Sequence, residues 1–198
     1  MRKKTPSWII STLCVLTLVT VTGTVAQNSA PFHRGRPLQF TGIINDYSPS
    51  TVTGGPFEIR GNWTLELRGT SANFSAAVTM ETSDSGVTVD LADPDSRVAH
   101  THHITMKNAQ VSSSSDPTIC PAYNPVTTSP NLIITGPVSI TGNGSAAPFE
   151  LKGPSTMQVC INGGDKVPFS NISLVLTGPA TGHFGTNAIH GVVRRVSR

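Results

Sequence analysis

The chain is predicted to fold as an all-β domain, an antiparallel β-sandwich or β-barrel of about ten short strands. Three observations predict it. No window sustains the 3.6-residue recurrence of an amphipathic helix. Short alternating runs rich in Val, Ile, Thr and Phe recur along the sequence. Gly (18), Pro (15) and Asn punctuate those runs, as turn residues between strands do.

The first 26 residues stand outside this pattern. Arg2, Lys3 and Lys4 form a basic head, Trp8 to Val21 is an uncharged and largely apolar run, and Thr24-Val25-Ala26 offers small residues for cleavage. That is the plan of a secretory signal peptide. The run is short and rich in Ser and Thr for a span, which needs about 20 mostly apolar residues. Contact with a membrane is therefore expected only through this segment, if it is retained. Residues 27–37 form a flexible lead, and the β-domain occupies 38–198.

Strands are expected at Leu38–Asn45, Phe57–Arg68, Asn73–Glu81 and Val87–Leu91. Others are expected at His100–Val111, Leu132–Thr141, Phe149–Lys152, Thr156–Ile161, Ile172–Thr177 and Ala188–Val196. Between the fifth and sixth runs, residues 112–131 are dominated by Ser, Thr and Pro and carry no strand pattern. A loop this long is usually functional or disordered, and this one is expected to border a ligand pocket together with the inward face of the His100 strand. Two duplicated halves are suggested by Pro56-Phe-Glu-Ile-Arg-Gly61 and Pro148-Phe-Glu-Leu-Lys-Gly153. Phe40-Thr-Gly42 with Ile134-Thr-Gly136, and Phe74-Ser75 with Phe169-Ser170, extend the correspondence.

Charge and cysteine content narrow the function. The chain has 14 Lys+Arg and 11 Asp+Glu, and the three basic residues of the head account for the excess. The remainder is formally neutral and shows no basic stripe of the kind that tracks phosphates, so nucleic acid is not an expected partner. Beyond Cys14 in the apolar run, two cysteines remain, Cys120 and Cys160. In an exported chain an even pair predicts a disulfide. Closing a loop of this length would stabilise the fold by about 4 kcal/mol. A reactive thiol is the poorer reading, because neither cysteine has a His or helix start in its local sequence to lower its pKa.

Chemistry concentrates in His100-Thr-His-His-Ile-Thr-Met106. Side chains alternate across a strand, so His100, His102, Ile104 and Met106 share one face and His103 lies on the other. The apolar company of His100 and His102 turns them inward. Neighbours two apart on one face can both direct a ring nitrogen at one ion, which makes the pair a two-point site for Zn or Cu. His183, in a glycine-flanked loop, and His190 just after it are the candidates to complete the set; His33, in the lead, is the weakest. The pair is similar to the His-x-His of cupins, but Met106 stands where cupins carry Glu. It also resembles that of copper–zinc superoxide dismutases, but no further histidine follows within the next few dozen residues. Both resemblances span a few residues and assign no family.

Weaker signals complete the inventory. Asp90, Asp93 and Asp95 could hold Ca²⁺, although the spacing fits no EF-hand loop. Asn62, Asn73, Asn143 and Asn171 each begin an N-x-Ser/Thr sequon. No nucleophile elbow, phosphate loop or dinucleotide fingerprint is present, which points away from an enzyme. The expected function is an exported, non-enzymatic binding or surface protein. A Zn or Cu protein or metalloenzyme, and a structural envelope protein, are the alternatives.

Overall fold

The computed structural model describes residues 37–52, 55–82, 99–116, 119–120, 130–142, 153–163 and 169–198. They form a closed antiparallel barrel of eight strands. In chain order these are β1 (Leu38–Tyr47), β2 (Phe57–Arg68), β3 (Ser71–Thr82), β4 (Ala99–Ser114), β5 (Asn131–Gly142), β6 (Ser155–Ile161), β7 (Asn171–Leu176) and β8 (Ile189–Ser197). Each strand pairs with the next, and β1 pairs with β8 from Gln39↔Ser197 to Ile44↔Gly191. Closure leaves no strand of the sheet with an open edge.

The expected all-β fold is present and the barrel is the architecture adopted, with eight strands rather than about ten. The other two predicted strands, Val87–Leu91 and Phe149–Lys152, lie outside the described residues. So do the signal segment, the Asp90–Asp95 cluster, His33 and the sequon at Asn143. A four-plus-four division puts Phe40 in β1 and Ile134 in β5, the first strand of each set, as a duplication requires. The Phe-Ser pairs fit it less closely: Phe74 lies within β3, whereas Phe169 precedes β7.

Alternation along the strands builds the interior. In β2, Phe57, Ile59, Trp63, Leu65 and Leu67 are buried, and in β3 so are Ala72, Phe74, Ala76, Val78 and Met80. Large and small side chains are complementary across the strands. Trp63 pairs with Gly42 on one side and Ala76 on the other. A Cβ at Gly42 would lie 2.5 Å from the indole, so only glycine leaves the ring its place. The indole stacks on Phe74 at 6.1 Å, and its Nε1 is buried without a hydrogen-bond partner. Phe40, Ile44, Ile134, Met157 and Phe184 fill more of the interior. Two open hollows, one beside Ile43, Arg60 and Asn62 and one beside Thr64, Asn73 and Lys107, lie on the outer wall.

An up-and-down barrel has two ends. The connections β1–β2, β3–β4, β5–β6 and β7–β8 fall at one of them, and the rest at the other. Cys120 and Cys160 form the expected disulfide, with Cα atoms 5.8 Å apart. Both are fully buried and pack with Ile133 on the outward row of β5 and β6, opposite in parity to the core residues Ile134 and Val159. The Ser/Thr/Pro segment is shorter than expected, because Ser112–Ser114 continue β4 and Asn131 begins β5. It also leaves β4 at the end opposite His100. The two ends of this 16-residue strand are about 50 Å apart along the chain, and the loop residues expected to border a pocket with its inward face, 117–118 and 121–129, lie outside the described residues.

Candidate metal centre

Three histidines converge at the end that carries the β7–β8 connection. His100 and His102 open β4 and point inward, in the row that continues through Ile104 and Met106. His102 is fully buried, His100 is half-buried, and His103 on the opposite face is exposed, as alternation requires. Met80 and Val78 of β3 lie directly across from His100 and His102.

His183 arrives from a different element. After β7 the chain makes a 3-10 turn, Gly178–Ala180, and one turn of helix, α1 (Thr181–Phe184). Local sequence dictates this turn. Gly178 adopts φ +72°, where a Cβ would sit 2.6 Å from the Pro154 carbonyl, and Pro179 is pre-set for the first turn. The Ala180 N–H donates to Ser155 Oγ at 3.3 Å, and Phe184 is buried in the core. Gly185, at φ +85°, closes the turn against Pro49. Anchored on both sides, α1 swings His183 over the barrel mouth. The sequence identified His183 as a candidate but assigned it to a loop. Phe184 beside it was the available signal, an apolar anchor among glycines.

The geometry is tight. His183 Nε2 lies 3.0 Å from His100 Nε2 and 2.9 Å from His102 Nε2. The potential ligand atoms of the three residues all fall within 4.8 Å of one another. Among the described residues, no other group of three or more His, Cys, Asp or Glu gathers in this way. Phe57 packs edge-on against His100 at 5.4 Å, and Phe184 against His102 at 5.1 Å. The walls of the site are therefore aromatic and apolar.

Electrostatics keep the rings neutral. Burial pushes the pKa of His102 down to about 3, helped by repulsion from His183 and His100, while a hydrogen bond with the Thr141 backbone opposes it. Burial and then the His100 charge lower His183 to about 4. Burial alone lowers His100. Neutral imidazole is the form that ligates metals.

His190 is not part of the cluster, which corrects its inclusion among the candidate ligands. Its backbone N–H donates to Asp46 Oδ2 at 2.7 Å, and its Nδ1 lies 2.8 Å from the same oxygen. It sits on β8 next to the inward Ile189, so alternation turns its ring away from the cavity side. No family model, curated protein or solved structure matches the chain.

Proposed function

We propose that this protein is an exported metal-binding β-barrel that holds one Zn or Cu ion on His100, His102 and His183. One observation carries the reading. An imidazole Nε2 has either one hydrogen or one in-plane lone pair, so His183 Nε2 cannot make two full hydrogen bonds. Yet it lies at hydrogen-bond distance from two other Nε2 atoms. A cation between the three rings resolves the conflict by taking one lone pair from each. Tetrahedral coordination at about 2.1 Å separates nitrogens by about 3.4 Å, so His183 needs to draw back from each of the other two rings by only a few tenths of an ångström.

Support for export comes from the basic head and apolar run of residues 2–21 and from the disulfide, which persists in oxidising compartments. The three imidazoles leave coordination positions for a further protein ligand or an exogenous base. When bound, the ion supplies a Lewis-acidic centre, and the protein supplies neutral ligands packed against Phe57 and Phe184.

Metal analysis of untagged protein tests the proposal. Zn or Cu is expected at one ion per chain, and is lost in the His100→Ala, His102→Ala double variant. A protein that takes up neither ion when both are supplied would refute it.

A further inference from the structure

We infer that Met80 is a fourth ligand and that the ion is copper in its +1 state. This assignment rests on the three-histidine reading and narrows it. Met80 is the direct cross-strand partner of His100 and is fully buried. It belongs to the inward row of β3, so its side chain leaves the sheet on the same face as His100 and His102. Opposed residues on one face have Cβ atoms about 4.5–5.5 Å apart, and the thioether sulfur lies two bonds beyond its Cβ. The unbranched side chain has three rotatable bonds with which to turn that sulfur toward the histidines. Among the described residues, the pair's other neighbours on this face offer no side-chain donor: Val78 and Gly142 across from His102, and Ile104 next along β4.

Two physical arguments select Cu(I). A thioether is a soft ligand, which favours Cu(I) over hard or borderline ions. The second is charge. Three imidazoles and a thioether are all neutral, and among the described residues no carboxylate joins the cluster. No ligand therefore offsets a bound ion's charge, and the ion lies with the buried Phe57, Phe184 and Ile104 on its inner side and the half-buried His100 and His183 toward the mouth. The cost of burying a charge rises with its square, so a divalent ion is penalised about four times as heavily as a monovalent one. Zn²⁺ therefore calls for an accompanying anion far more strongly than Cu(I) does.

The test is an anaerobic competition of the whole protein against a chromophoric Cu(I) chelator, with Zn²⁺ affinity measured in parallel. X-ray absorption of the copper-loaded protein completes it. Cu(I) is expected to bind one per chain more tightly than Zn²⁺, with a sulfur scatterer beside the nitrogens. Met80→Leu conserves volume and should weaken Cu(I) binding by about tenfold while leaving Zn²⁺ affinity nearly unchanged. Wild-type affinity for Cu(I) in Met80→Leu, or a spectrum with nitrogen neighbours only, overturns the Met80 ligand and leaves the histidine site intact. Zn²⁺ bound more tightly than Cu(I) at the histidines overturns the choice of ion alone. Failure to bind either ion overturns the three-histidine reading beneath it.

Discussion

His102 illustrates how a single residue ties stability to acidity. In the unfolded chain an imidazole takes up a proton near pH 6.5, but in the folded barrel His102 resists protonation down to about 3 and His183 down to about 4. Between those limits the unfolded state binds more protons, so stability falls as the pH is lowered. The contribution is complete above pH 6.5 and is lost progressively on acidification toward pH 3. Ion-free protein should therefore show denaturation midpoints that drop between pH 7.5 and pH 4.5, and the drop should shrink in His102→Leu. Equal pH dependence in variant and wild type would show that other groups govern the acid response. Bound metal should raise the midpoints without removing the effect, because ligated imidazoles carry no proton in the folded state while the unfolded chain still takes them up.

At the scale of the element, α1 is the part on which the site depends, and Gly185 closes it. Gly185→Ala would force a side chain into the left-handed region and place a Cβ 2.5 Å from Pro49. The strain falls on the turn that carries His183, not on the sheet. The expected result is weaker metal binding with the barrel's far-ultraviolet circular dichroism retained; unchanged affinity by titration would separate the turn from the site. The strands were legible in the sequence because period-two alternation is imposed by burial on one face: β2 begins and ends where the pattern does, at Phe57 and Arg68. His100 and His102 were legible for the same reason. Closure into a barrel was not, since it depends on β1 pairing with β8, about 150 residues apart, and no local pattern encodes that contact. His190 misled because sequence proximity to His183 says nothing about which way a strand turns its side chains. Met80 was read only as a strand residue, and its position across from His100 emerges from the register.

Across the whole molecule, the disulfide and the histidines serve different regions. Cys120–Cys160 fixes the connection that leaves β4 at the far end and covers the outward side of β5 and β6. Reduction should lower stability by about 4 kcal/mol, read as an earlier thermal transition. Metal affinity of the still-folded protein should stay the same; a large loss of affinity on reduction would show the two ends to be coupled. Of the two tryptophans, Trp8 lies in the segment proposed as a cleaved leader. Trp63 is sealed between Gly42 and Ala76 with its N–H bonded to nothing, and removal of that segment would leave it the sole indole. The barrel thus contains its own optical gauge: one fluorophore in a dry setting, whose emission should lie far to the blue and move redward only when the staves part.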